Sequence, residues 1–139
     1  MAWVVDSCVL LDVALKDPGF RLPSALLLEQ LRGDGLVVCP VSAIEMAPRL
    51  GRELRNVGEF LRVLGASPAT GWLETDTENA AAGWSRYVRQ RRAGTAGKRP
   101  LADLLIGGFA CRFQGLVTRN PQHLLPFFPG LQIKQPATT

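Results

Sequence analysis

The chain has 139 residues, 47% of them hydrophobic and 20% charged, with a formal net charge of +4 and a pI near 9.4. That balance excludes disorder over most of the length and suits one ordinary domain with a core of its own. No stretch reaches the roughly 18–20 apolar residues that span a bilayer, and Met1–Asp6 lacks the basic start of a secretory signal; no membrane partner and a cytoplasmic location are expected.

In chain order, Ala2-Trp3-Val4-Val5 reads as a short buried strand ending at Asp6, and Ser7 to Leu15 as a helix. Asp17-Pro18-Gly19 is a turn, and Pro23 to Arg32 a second helix that starts on proline and stops at Gly33. Leu36 to Cys39 is a second buried strand. Ser42 and Glu45 have the spacing of a capping box for the next short helix. A further helix is expected from Glu53 to Leu64, and a weaker strand over Gly71–Glu74. Thr75 or Thr77 is placed to cap a long helix through Val88. Ala93–Gly97 reads as a loop, and Pro100–Phe113 as the most buried helix. Leu116–Thr118 is a strand, and Leu131–Ile133 a final one. Strands apolar on both faces, alternating with helices, predict an α/β fold. A central, mostly parallel sheet is covered on both sides in three α/β/α layers. The domain is expected over residues 1–135, with a tail over 136–139.

The three cysteines, Cys8, Cys39 and Cys111, lack the paired spacing of a zinc site or disulfide framework, and Cys8 and Cys39, in apolar runs, read as small core residues. Positive charge gathers at Arg86, Arg89, Arg91, Arg92, Lys98 and Arg99. That run is either a solvated face or a surface for a phosphate backbone.

The polar residues set against the apolar frame carry the functional signal. Asp6 closes the first strand, Glu45 lies in the helix after the second, Asp103 falls in the first turn of the most apolar helix, and Asn120 follows a late strand. In an open α/β sheet, ligands bind beyond the carboxyl ends of the strands. Each acid alone has a bland explanation: Asp6 as a helix cap, Asp103 as a partner of a helix dipole, Glu45 as half of a capping box. Convergence of all three at one sheet edge favours a site. Two carboxylates about 5 Å apart at an effective dielectric of about 20 repel by roughly 3 kcal/mol, so one takes a proton or a cation sits among them. Oxygen ligands suit Mg²⁺ or Mn²⁺, and such an ion can activate water for attack on a phosphate.

Val4-Val5-Asp6-Ser7, Val41-Ser42-Ala43-Ile44-Glu45, Leu101-Ala102-Asp103-Leu104-Leu105-Ile106-Gly107-Gly108-Phe109-Ala110 and Val117-Thr118-Arg119-Asn120 followed by Phe128-Pro129-Gly130-Leu131 occur in this order. Together they resemble the motifs of the PIN domain family, in particular the VapC toxins of bacterial toxin–antitoxin pairs. The resemblance covers nearly the whole chain. It implies a Mg²⁺- or Mn²⁺-dependent endoribonuclease, homodimers, and a small antitoxin that blocks the active site. Carried over, Asp6, Glu45 and Asp103 are metal ligands, Ser7 and Thr118 are supporting hydroxyls, and Asn120 belongs to the catalytic set. Arg86, Arg89, Arg92, Lys98, Arg99 and Arg119 are the expected RNA contacts. The family often has Asp where Asn120 stands, so one resident metal is expected per chain. His123, the only histidine, is either a surface or loop residue, a contact to RNA or an acid.

Other classes fit less well. A haloacid-dehalogenase-type phosphatase needs a second Asp where Cys8 stands. A response-regulator receiver has an acid near the place of Asp76 but needs a late Lys where Arg119 stands. A non-catalytic PIN domain that binds RNA or a protein, and a PIN nuclease of RNA maturation, are the alternatives.

Overall fold

The computed structural model describes residues 1–67, 71–94 and 100–137. Five short strands form one wholly parallel sheet in the order β3-β2-β1-β4-β5. They are β1 (Trp3–Val5), β2 (Leu36–Val37), β3 (Ala66–Ser67), β4 (Gly115–Val117) and β5 (Ile133–Lys134). Among the described residues there are six α-helices: α1 (Ser7–Ala14), α2 (Arg21–Leu31), α3 (Pro40–Met46), α4 (Leu54–Leu64), α5 (Glu74–Arg92) and α6 (Leu101–Ala110). None of them is long and apolar enough to cross a membrane.

Alternation along the strands sends successive side chains to opposite faces. Trp3, Val5, Leu36, Val38 and Val117 join one buried cluster with Val9 and Leu10 of α1, Leu28 and Leu31 of α2, Met46 of α3, and Val57 and Leu61 of α4. Val4, Val37, Cys39 and Leu116 join the other, with Tyr87 of α5, Leu104, Ile106 and Phe109 of α6, and the Phe127–Phe128 pair. The result is the expected three-layer α/β/α arrangement.

Three sequence expectations need correction. Gly71–Glu74 is not a strand; the third strand is Ala66–Ser67, directly after α4. Ala66 and Ser67 show no hydrophobic run because β3 is only two residues long, with Ser67 exposed. The long helix begins at Glu74 without capping by Thr75 or Thr77. Asp76 instead accepts the Leu73 N–H at 2.8 Å, and Thr77 accepts the Trp72 indole N–H. Finally, α6 ends at Ala110 rather than Phe113. The expected loop over Ala93–Gly97 lies partly outside the described residues, as does the end of the tail.

Helices α5 and α6 pack antiparallel. Asp76 meets Arg112, Ala80 meets Gly108, and Gly83 and Gly107 flank the Phe128 ring. A Cβ on Gly108 would stand 2.7 Å from both the Ala80 Cβ and the Ala80 backbone nitrogen. Backbone cannot swing aside as a flexible side chain can. Gly108→Ala is therefore expected to destabilise the fold by about 1–3 kcal/mol through overpacking, read by urea unfolding. An unchanged midpoint would show that the two helices can separate at no cost.

Candidate functional site

The chain builds outward from the middle of the sheet. β1 is central, β2 and β3 lie to one side, and β4 and β5 to the other. The direction of strand placement reverses between β1 and β4, and there the loops leaving the strands part to open a crevice. Asp6 stands at that point. Its backbone N–H bonds the Val117 carbonyl at 2.9 Å, and its carboxylate accepts the Thr118 hydroxyl at 2.8 Å, so the ends of β1 and β4 are tied together.

The capping explanations for Asp6 and Glu45 are not what the side chains do. Asp6 occupies the N-cap position of α1, yet its carboxylate makes no cap hydrogen bond. Helix α3 starts at Pro40 with Cys39 as its N-cap, so Ser42 is already inside the first turn and no Ser42–Glu45 capping box forms. Glu45 Oε1 instead accepts the Ser7 hydroxyl at 3.0 Å. Asp103 sits in the first turn of α6, the place a helix dipole favours for an acid. Its Oδ2 lies 3.7 Å from Nδ1 of His123, on the one-turn helix Pro121–His123.

The charge of Asp6 acts on both other acids, and that of Asp103 on Glu45. Burial, then the charges of Asp6 and Asp103, pushes the Glu45 carboxyl up, against the hydrogen bond from Ser7. Burial, then the Asp6 charge, pushes Asp103 up, with His123 opposing. Glu45 lies on an exposed stretch of α3, so solvent damps its shift and Asp103 carries the larger consequence. A carboxyl raised by folding contributes stability below its unfolded pKa, and that contribution is lost as pH rises through the folded value. Metal-free protein is therefore expected to lose thermal stability on these two groups as the pH leaves the usual carboxylate range of about 4. A Glu45→Gln/Asp103→Asn double variant should have a flatter pH profile. Identical profiles in chelator would refute the mutual repulsion.

Asn120 and Cys8 border Asp6. The Asn120 N–H bonds the Thr118 hydroxyl at 3.1 Å, and its side-chain nitrogen is 4.0 Å from the Cys8 sulfur, which is 3.5 Å from Asp6 Oδ2. Burial, followed by the Asp6 charge, pushes the Cys8 thiol up to about 11. It stays protonated at neutral pH and is a poor nucleophile.

The donor set is oxygen-rich and anionic, which suits a hard divalent ion. Among the described residues, no three Asp, Glu, His or Cys side chains stand close enough together to form a finished metal cage. The fit is thus to an ion that takes one or two carboxylates directly and completes its shell with water or phosphate oxygens, the usual habit of Mg²⁺.

The expected RNA-contacting residues divide. Arg119 is partly exposed: its Nε is 3.1 Å from Oδ2 of buried Asp12, and its guanidinium lies 4.2 Å over the Phe20 ring. Arg86 donates to the Phe127 carbonyl. Arg89 and Arg92 are exposed, and the antiparallel α5–α6 register carries this end of α5 toward the α6 terminus that holds Asp103. Lys98 and Arg99 lie outside the described residues. A cavity of about 400 Å³ lined by Asn79, Arg86, Cys111, Phe128 and Gln132 opens near the starts of β4 and β5, at the opposite sheet edge, and none of the three acids lines it.

Sequence reasoning missed Asp12 and Arg112 as parts of buried ion pairs. Asp12 lies in a helix of mostly apolar residues, and only its being charged there hinted at a partner. No protein-family model and no curated protein matches the chain.

Proposed function

We propose that this chain is a PIN-type, divalent-metal-dependent endoribonuclease of the VapC toxin class, restrained by a small antitoxin and assembled as a homodimer. The observation that carries the reading is the set of three carboxylates at the β1–β4 switch point. None is used as a helix cap, and Glu45 and Asp103 are both raised in part by neighbouring acid charge. Charge repulsion kept among partly buried acids is typical of sites whose ligand supplies the missing partner. Asp6, Glu45 and Asp103 would hold Mg²⁺ or Mn²⁺. When bound, such an ion lowers the pKa of water and offsets charge on a phosphate under in-line attack.

The chain's own residues do the positioning. Thr118 orients Asp6 and Ser7 orients Glu45 through the hydrogen bonds described above. Asn120 presents a neutral amide next to them, so it adds polarity without a fourth negative charge. The exposed Arg89 and Arg92 offer a phosphate backbone favourable charge near the Asp103 end of α6. Single-stranded RNA suits an open edge of this kind, since its backbone is accessible.

The experiment is purified protein, free of any co-purifying antitoxin, incubated with total RNA in Mg²⁺, in Mn²⁺ and in chelator. Cleavage that requires the ion supports the nuclease. Intact RNA from folded protein in all three would overturn a general nuclease and favour a non-catalytic PIN domain that binds RNA or a protein. The neutral Asn120 and the lack of a finished three-donor cage among the described residues favour that second reading. A small antitoxin gene directly upstream separates a toxin from a PIN nuclease of RNA maturation.

A further inference from the structure

Each carboxylate of the candidate site has a different neighbour. Asp6 has the Thr118 hydroxyl at 2.8 Å, and Glu45 has the Ser7 hydroxyl at 3.0 Å. The resemblance supplied both hydroxyls and supplied nothing for Asp103. The structure places the single imidazole of the chain there, with His123 Nδ1 at 3.7 Å from Asp103 Oδ2. The placement follows from local chain geometry. Asn120 ends the segment after β4, Pro121 opens a one-turn helix, and His123 closes that turn beside the start of α6.

We infer that His123 is the positioning residue for Asp103, donating from Nδ1 to Oδ2 and so holding that carboxylate for the divalent ion. The inference rests on the metal-site reading above. Carboxylates that bind metals are commonly held by a hydrogen bond from a neighbouring group, and loss of such a partner typically weakens metal binding by about 10–100-fold. At 3.7 Å the pair is within ion-pair reach. A full hydrogen bond at about 3 Å needs a closure of well under 1 Å, which an exposed side chain on a one-turn helix can make. His123 is exposed and belongs to neither buried cluster, so it has little packing role that its removal would disturb.

The test is Mn²⁺ binding without RNA, followed by calorimetry or by the free-ion EPR signal, on the full chain and on His123→Ala and His123→Asn. An Asn amide can put a donor near the place of Nδ1 but carries no imidazole. The expected result is binding weaker by about 10-fold or more in His123→Ala, recovered within a few-fold in His123→Asn, with equal thermal stability of all three in chelator. Equal Mn²⁺ affinity of wild type and His123→Ala overturns the inference while leaving the metal site intact. Equal loss in both variants overturns it in favour of the ring nitrogen touching the ion. No Mn²⁺ binding by wild type defeats the metal-site reading and takes this inference with it.

Discussion

Asp6→Asn is expected to lower metal-dependent RNA cleavage by about 100-fold or more, because losing a direct ligand should exceed the roughly 10–100-fold cost of losing an outer partner. The substitution keeps the size of the side chain and leaves an oxygen to accept the Thr118 hydroxyl, so the tie between β1 and β4 can survive. It removes the negative charge that raises Glu45 and Asp103. Metal-free Asp6→Asn is accordingly expected to be at least as stable as wild type while failing to gain thermal stability from Mn²⁺, since only an ion that binds the native state raises the midpoint. Activity assays and melting curves in Mn²⁺ and in chelator check both halves. A variant that cuts RNA as well as wild type, or melts higher in Mn²⁺ by the same margin, would remove Asp6 from the site.

Arg112→Met is expected to cost about 3 kcal/mol of folding stability, a large share of the roughly 5–15 kcal/mol that holds a domain together. Asp76 is fully buried in the first turn of α5, where it accepts the Leu73 N–H. Arg112 meets its two oxygens with two nitrogens, each at 3.0 Å, in a bidentate pair. The guanidinium also lies 5.0 Å over the Phe109 ring and 4.6 Å over Phe113. The methionine leaves an uncompensated carboxylate in the interior, which is costlier than the net worth of the pair. Adding Asp76→Asn should recover part of the loss, so the double variant is expected to fall short of the sum of the singles. Urea unfolding measures all three. A loss under about 1 kcal/mol in Arg112→Met would mean the carboxylate is hydrated after all. This pair also disposes of the receiver comparison: Asp76 is a helix cap locked to an arginine, at no strand end.

Much of the architecture was legible because its signals are local. Trp3–Val5, Leu36–Val37 and Gly115–Val117 are apolar runs bounded by polar or turn residues, and a parallel sheet covered on both faces requires such runs. Their order in the sheet and the crevice at the β1–β4 junction were not written locally; they depend on which strands meet. The same distinction explains the site. Asp6, Glu45 and Asp103 stood out as acids in apolar surroundings. The resemblance offered Ser7 and Thr118 as supporting hydroxyls without saying which acid each meets; that Thr118 pairs with Asp6, and Ser7 with Glu45, is visible only in the fold. The third partner, His123, lies 20 residues from Asp103 on a different element, and no spacing rule links them. Arg119 has partners that no local reading reaches. An arginine next to a candidate site reads as a phosphate contact; in the fold Asp12 and Phe20, nearly a hundred or more residues earlier, also engage it.

The bond from Thr118 to Asp6 joins residues separated by 112 positions, and the central strand completes its pairing only when residues 115–117 lie beside it. A wholly parallel sheet has no hairpins, so none of these ladders can form by local folding-back. On an emerging chain, β1 must wait beside an empty flank until residues 115–117 have left the ribosome, a delay that topologies of high contact order impose in general. Asp6 therefore acquires the Thr118 hydroxyl only after the whole segment between them has been made. An incomplete copy contains Asp6 but not the site, and the order of translation itself withholds the finished constellation until the fold around it is whole.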